Sequence, residues 1–235
     1  MATLPDDSEA KNAGIAVGHA AALELVAQRT GDGVVGAVTY ENGNGPGGGL
    51  SGSTYVYGSE PGAYQKTPPA FLLAQTPWLA TMTPFTMKSS SQFLPDEGPM
   101  PLDSEQWADD YNRTKRWGSL TDSPRTAEQT TIGLFWPANP GLAYTSMLGN
   151  LVQTYSLKAL DSARLYAMTW SSAADAFIGC MNAKYHYNFW RPVTAIRAGG
   201  RILIPKRLAI PVGRLSPLPP IIPNIPQPMG ASQAR

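Results

Sequence analysis

Two cations and a proline lie close together near the end of the chain: Lys184, Arg191 and Pro192. Lysine offers a point charge and arginine a planar fork of donors, a pairing suited to holding a trigonal or tetrahedral oxyanion such as phosphate or vanadate. A spacing of seven residues is two turns of a continuous helix, which would put both cations on one face. Pro192 limits helical continuation and would fix the turn that aims Arg191. The sequence therefore predicts an oxyanion site built on Lys184 and Arg191.

Aromatic residues lie between and beside the two cations: Tyr185, Tyr187, Phe189 and Trp190. Apolar walls lower the local dielectric constant and so strengthen charge-assisted hydrogen bonds to an anion. The alternative interpretation is a solvated lysine and arginine at a helix end, beside an aromatic core. The spacing alone does not separate these two interpretations, because many unrelated sequences contain a lysine and an arginine at this distance.

The chain contains two histidines, His19 and His186, and one cysteine, Cys180. His19 falls on an apolar helical segment, so we expect it in the core. His186 lies inside the cationic segment itself. A single cysteine excludes an intramolecular disulfide and a cysteine-based metal cluster, so we expect Cys180 to be a small buried apolar side chain.

Helical spacing of apolar residues marks the elements that would position these side chains. It recurs at Ser8 to Arg29, Ser104 to Trp117, Thr126 to Trp136, Gly141 to Tyr155 and Leu157 to Lys184. The long segment from Thr30 to Pro101 lacks this period, but its aromatics Phe71, Trp78, Phe85 and Phe93 indicate that much of it packs on the body. We predict an all-α fold, mainly helical, with long irregular loops.

The bulk composition excludes several classes of partner. Eighteen basic and 17 acidic residues give a formal net charge of +1, which implies no global attraction to nucleic acid. No apolar run is long enough to span a membrane, and residues 1–7 have neither the basic nor the apolar region of a signal peptide. We therefore expect a soluble protein of undetermined compartment and oligomeric state.

The string from Lys184 to Gly199 adds a family resemblance to this picture. Lys-Tyr-His-Tyr-Asn-Phe-Trp-Arg-Pro-Val-Thr-Ala-Ile-Arg-Ala-Gly resembles the first vanadate-binding motif of bacterial vanadium-dependent haloperoxidases, which share a fold with the type 2 phosphatidic acid phosphatases. Upstream segments resemble the same family in order, among them Gly-Ile-Ala-Val-Gly-His-Ala-Ala-Ala from Gly14 and Arg-Thr-Ala-Glu-Gln-Thr-Thr-Ile from Arg125. The resemblance covers roughly residues 8–199.

The resemblance implies an incomplete helical bundle of the haloperoxidase and acid phosphatase type over residues 1–199. It implies that Lys184 and Arg191 bind the oxygens of vanadate or phosphate, while Trp190, Pro192 and His186 shape the pocket. It also implies vanadate as the cofactor, with hydrogen peroxide and halide as substrates. An acid phosphatase activity is the alternative within the superfamily, because vanadate mimics the transition state of phosphoryl transfer.

Two family motifs are missing from the chain: Pro-Ser-Gly-His and Ser-Arg-x5-His, whose histidines perform the chemistry. We therefore assign no catalytic residue and no metal ligand in this chain, and expect an inactive fragment. Residues 200–235 contain no acid and many prolines, which predicts a disordered tail. Read one base out of frame, Ile221 to Gly230 can encode His-Pro-Glu-Tyr-Pro-Ala-Ala-His-Gly, which looks like the family's second motif, so we interpret the tail as frameshifted. A genuine polyproline segment on a noncatalytic helical binding module is the alternative.

Overall fold

The computed structural model describes residues 8–34, 36–43, 48–136 and 140–199. Within these ranges the elements follow in the order α1 (Glu9–Gln28), β1 (Thr39–Asn42), β2 (Gly49–Ser51), β3 (Thr54–Tyr57), a 3₁₀ helix (Pro77–Thr81), α2 (Glu105–Trp117), α3 (Ala127–Phe135), α4 (Pro140–Thr154), α5 (Ala159–Tyr187) and α6 (Pro192–Ala198). The prediction of a mainly helical fold with long irregular loops is confirmed. The tail interpretation, which concerns residues 200–235, lies outside the described residues.

Serine and threonine caps set the starts of three helices. The Ser8 hydroxyl accepts a hydrogen bond from the backbone N–H of Lys11, and the Ser104 hydroxyl accepts one from the backbone N–H of Trp107. The donor–acceptor distance is 3.1 Å in each. Thr126 and Gln129 form a reciprocal capping box at the start of α3. These bonds satisfy N–H groups that have no partner within a helix, which explains why the predicted starts are close to the observed ones.

A small sheet occupies part of the segment that the sequence predicted to be irregular. Its strand order is β1-β3-β2, with β1 parallel and β2 antiparallel to β3. Strands of three or four residues are too short for an alternating pattern to be recognised in sequence. The side chains of Tyr55 and Tyr57 on β3 are buried, so the sheet contributes directly to the core.

Tyrosines, more than aliphatic residues, form the core beside the site. The buried cluster comprises Tyr55, Tyr57, Tyr64, Ala74, Leu79, Ala80, Ile178, Met181 and Tyr185. Tyr55 is central, with its ring centroid 5.1 Å from that of Tyr57 and 5.4 Å from that of Tyr185, both in edge-to-face geometry. The C-terminal half of α5 packs on this cluster together with the 3₁₀ helix. The position of Lys184 is thereby fixed relative to the sheet.

A buried carboxylate holds α5 against the loop that follows the 3₁₀ helix. Asp175 accepts hydrogen bonds from the backbone N–H groups of Phe85, Thr86 and Met87 at 2.6, 2.6 and 2.9 Å, and one from the Thr86 hydroxyl at 2.5 Å. Burial alone would raise the pKa of Asp175, but these hydrogen bonds outweigh it, and the pKa lies below its ordinary value. Asp175 is therefore charged at neutral pH and ties the loop to α5.

Several helical faces in the described part of the chain have no partner, which corrects two expectations. Helix α1 buries no residue, and the prediction that His19 lies in the core is wrong because the side chain is exposed. Cys180 is also exposed, contrary to the expected buried role. In the first half of α5, Leu160 is 81% exposed, so the apolar stripe is covered only near its C-terminal end. An apolar stripe identifies a helical face but not the element that would cover it.

The aromatic side chains of the segment between α1 and α2 pack less than the sequence suggested. Phe71 is 57% and Phe93 73% exposed, whereas Trp78 is partly buried and packs against the tyrosine cluster. Phe85 contacts the guanidinium carbon of Arg29, 4.1 Å from its ring centroid. Among the described residues, no helix is both long and apolar enough to cross a membrane.

Candidate functional site

A left-handed turn separates the two cations. Helix α5 ends at Tyr187, and Asn188 follows with φ of 44° and ψ of 39°. Asparagine tolerates this conformation better than most residues with a Cβ. Lys184 thus lies in the last turn of α5, whereas Arg191 is the N-cap of α6. The prediction that one continuous helix carries both cations on the same face is therefore wrong.

Both cations nevertheless lie against one side chain, the ring of Tyr64. The Lys184 Nζ is 5.4 Å from the ring centroid, and the guanidinium carbon of Arg191 is 5.7 Å from it. In addition, Arg191 Nη2 donates a hydrogen bond to the Tyr64 hydroxyl over 3.2 Å. The turn therefore brings together the two residues that the sequence singled out.

Backbone contacts bring Tyr64 to this turn from a distant part of the chain. The Trp190 N–H donates to the Gly62 carbonyl over 2.9 Å, and the Tyr64 N–H donates to the Asn188 carbonyl over 2.7 Å. Ala63 and Phe189 form an isolated antiparallel bridge between these two bonds. On the side-chain level, the Tyr55 hydroxyl donates to Asn188 Oδ1 over 2.5 Å within the tyrosine cluster. These bonds fix the cationic turn on the core.

The electrostatics of the turn favour a bound anion. Lys184 and Arg191 are both partly buried, and within the described ranges neither has a carboxylate within 4.0 Å. Burial lowers the pKa of Lys184 below its ordinary value, and the nearby charge of Arg191 lowers it further. Two cations that repel each other away from bulk water are stabilised by an anion placed between them.

The aromatic walls form two separate groups around the cations. Tyr185 is buried, its ring centroid lies 4.9 Å from Lys184 Nζ, and its hydroxyl donates to the Gln75 carbonyl over 2.6 Å. Burial raises the pKa of Tyr185 well above its ordinary value, so that hydroxyl stays protonated. On the other side, Trp190 is buried and stacks on Trp107 with a centroid distance of 6.2 Å, and Phe189 packs edge-on against the same indole at 5.7 Å.

The other two residues assigned to the pocket are exposed. Pro192 occupies the first position of α6, where a proline costs no hydrogen bond. The ring of His186 makes an edge-to-face contact with Tyr187 at 4.9 Å. Within the described residues, neither His186 nor Pro192 makes a polar contact with Lys184 or Arg191.

Sequence reasoning missed Tyr64, Asn188 and Trp107. Nothing in the local sequence around Tyr64 indicates a partner 127 residues away. For Asn188, the one available signal was its residue type, because asparagine is enriched in left-handed turns, but this marks no particular position.

Known proteins resemble parts of this chain, including the segment that carries the two cations. A family model described as the second helical-bundle domain of vanadium chloroperoxidase matches residues 164–203, which include Lys184 and Arg191. A vanadium chloroperoxidase from Curvularia inaequalis is 27% identical over 99 residues, 35% of this chain and 16% of that protein. The crystal structure of a bacterial vanadium-dependent iodoperoxidase superposes with a TM-score of 0.51 at 24% identity, over 59% of this chain and 36% of that one.

Over these segments the chain is similar to vanadium haloperoxidases. It spans 36% of the iodoperoxidase and 16% of the chloroperoxidase that it matches. The described residues include Lys184 and Arg191, the two cations singled out from the sequence. They contain no group of three or more histidine, cysteine, aspartate or glutamate side chains placed to hold a metal ion.

Proposed function

We propose that the turn between α5 and α6 binds a tetrahedral oxyanion through Lys184 and Arg191. The observation that carries this proposal is that two partly buried cations lie on the ring of one tyrosine without a carboxylate partner among the described residues. Each of these side chains is a hydrogen-bond donor and has no acceptor atom. An anion with oxygens in several directions accepts from both at once.

Vanadate is the anion that the family relationship favours. The residues present fit its oxygens, because ammonium and guanidinium groups donate to negative oxygen. Bound vanadate would supply the activation of hydrogen peroxide toward halide. In this chain, Lys184 and Arg191 would hold and orient the anion, and the aromatic walls formed by Tyr185 and Trp190 would limit water around it.

We propose halide oxidation for a haloperoxidase that also carries the two missing histidine motifs. For these 235 residues we propose anion binding without turnover. The two histidines of the chain are His19 on α1 and His186, which contacts Tyr187 and makes no polar contact with the cations. Loss of acid, base or metal-ligand groups typically costs several orders of magnitude in rate. The chain supplied with vanadate, peroxide and bromide should therefore show no bromination of a dye above a protein-free blank, and clear bromination would contradict this assignment.

Phosphate is the second candidate ligand, and an acid phosphatase activity is the corresponding alternative function. The donor set favours it equally, since the ammonium of Lys184 and the guanidinium of Arg191 recognise charge and oxygen geometry and not the central atom. A noncatalytic binding module that uses residues 200–235 remains a separate proposal and concerns residues outside the described ranges.

A competition experiment tests the oxyanion proposal. Vanadate should bind the chain, and phosphate should displace it, because both anions accept from the same two cations. The readout is the ⁵¹V resonance of free vanadate at increasing protein concentration, with and without phosphate. Vanadate that binds but is not displaced by phosphate would indicate a site elsewhere on the chain.

A further inference from the structure

Tyr64 is in direct contact with the cationic turn and takes no part in the site predicted from sequence. Its side chain is 3% exposed, and its hydroxyl lies 3.2 Å from Arg191 Nη2. Its ring also faces the Lys184 ammonium. No other tyrosine of the core cluster contacts both cations within the described residues. Tyr64 is therefore the residue most directly coupled to an anion held at this turn.

The hydrogen bond between Arg191 and Tyr64 has a fixed direction. A guanidinium has five N–H donors and no acceptor, so Arg191 donates and the Tyr64 oxygen accepts. The phenolic proton must then point elsewhere. Among the described residues it has no acceptor, because Arg191 is the one hydrogen-bond partner of the Tyr64 hydroxyl. The Tyr64 hydroxyl is thus a buried donor that is polarised by the Arg191 cation, and its proton has no acceptor among the described residues.

We propose that the Tyr64 hydroxyl is a third ligand of the oxyanion and donates a hydrogen bond to one of its oxygens. This inference rests on the proposed function, since it names a further residue of the same site. Lys184 and Arg191 would supply charge, and Tyr64 would supply a neutral donor held in place by its backbone bond to Asn188. A chain of donors from Arg191 through the phenol to the anion strengthens each bond in it.

The ring and the hydroxyl of Tyr64 make separable contributions. Tyr64→Phe keeps the ring that both cations contact and the packing on Tyr55 and Tyr57, whose centroids lie 6.4 and 6.3 Å away. It removes the hydroxyl, both as a donor and as the acceptor of the Arg191 hydrogen bond. Tyr40→Phe is the matched control. Its hydroxyl donates to the Ala74 carbonyl over 2.8 Å at the edge of the same cluster, and it contacts neither cation.

The test is a phosphate titration of the full chain by calorimetry, with melting temperatures measured in parallel. We expect Tyr64→Phe to weaken phosphate binding by about tenfold or more, since it removes a hydrogen bond to a charged group. Tyr40→Phe should bind phosphate as the parent does. The loss in Tyr64→Phe should be similar at low and high ionic strength because no charge is removed, whereas the loss in Lys184→Met should shrink as salt screens it.

The outcomes separate this inference from the proposed function. If the parent binds phosphate, and Lys184→Met and Arg191→Met bind it weakly, an unchanged affinity in Tyr64→Phe would overturn the role of Tyr64 and leave the cationic site intact. If Tyr64→Phe and Tyr40→Phe lose affinity equally, the effect comes from the cluster and the inference is also wrong. A parent chain without phosphate affinity would overturn the proposed function itself.

Discussion

The Arg191 guanidinium donates to the Tyr64 hydroxyl across 127 residues of sequence, and the same ring contacts Lys184. Contact with Tyr64 thereby brings Lys184 and Arg191 together. The continuous helix expected from their spacing does not. The left-handed Asn188 is what allows this arrangement, since it redirects the chain after α5 and lets Arg191 face the same ring.

Asn188 should therefore be critical for both stability and anion binding. Asn188→Ala places a Cβ-bearing residue without local hydrogen bonding at φ of 44°, which costs about 1–2 kcal/mol, and it also removes the buried acceptor of the Tyr55 hydroxyl. Asn188→Gly keeps the turn and loses only the side-chain bonds, so it should retain more of both properties. Urea unfolding and phosphate titration of the two variants check this. An alanine variant as stable as the glycine variant would show that the turn is not strained.

The lowered pKa of Lys184 predicts a pH dependence of anion binding. The ammonium form attracts the anion, so affinity falls as pH rises through a pKa below the ordinary lysine value of about 10.4. A bound anion favours the charged lysine and should raise that pKa again. Sulfate is a suitable probe because its charge is constant in this range, and circular dichroism confirms that the fold persists. Lys184→Arg should abolish the alkaline step, and a step that remains in this variant would assign it to another group.

Asp175 should contribute stability as a charged group. Asp175→Asn replaces an acceptor of four hydrogen bonds, and we expect a loss of at least about 1.5–3 kcal/mol. Because its folded pKa is lowered, the contribution is present above the unfolded pKa of about 3.9 and is lost as pH falls through the folded value. The free energy of unfolding of Asp175→Asn should thus fall less than that of the parent chain as the pH is lowered. Asp109→Asn, at an exposed position on α2, is the control and should leave unfolding nearly unchanged.

The difference in burial between the side chains of α5 and α1 predicts where side-chain truncations are tolerated. Ile178→Ala removes a side chain that is 1% exposed in the tyrosine cluster and should cost about 2–5 kcal/mol. Val17→Ala on α1, where the valine is 69% exposed, should change the free energy of unfolding by no more than about 0.5 kcal/mol. Thermal unfolding of both variants measures this difference. A large loss in Val17→Ala would mean that α1 is covered in solution.

The sequence predicted α1, α2 and α3 well because their starts depend on local chemistry, whereas α6 was not predicted. Ser8, Ser104 and Thr126 each cap a helix through bonds to residues three positions later. The small sheet was not predictable in the same way, since its strands pair over longer distances and are too short to show a pattern. Burial of His19 and Cys180 was predicted wrongly because the period of a helix defines a face and says nothing of a covering partner.

The charged residues of the candidate site and its aromatic walls stand out in the sequence, whereas Tyr64 does not. Lys184 and Arg191 stand out by type and spacing, and their motif lies inside the segment matched by the family model. Tyr64 does not stand out, because its role depends on the Ala63 to Phe189 bridge, which only the folded chain reveals.

The most direct test of the central claim is the phosphate affinity of four full-length chains: the parent, Lys184→Met, Arg191→Met and Lys66→Met. Lys66 is the matched control, since its ammonium lies 4.9 Å from the Tyr57 ring centroid in the same cluster, whereas the cations over the Tyr64 ring among the described residues are Lys184 and Arg191. We predict one phosphate per parent chain, a loss of about tenfold or more in each variant of the turn, and no loss in Lys66→Met. Equal losses in Lys66→Met and Lys184→Met, or no binding by the parent, would contradict an oxyanion site at Lys184 and Arg191.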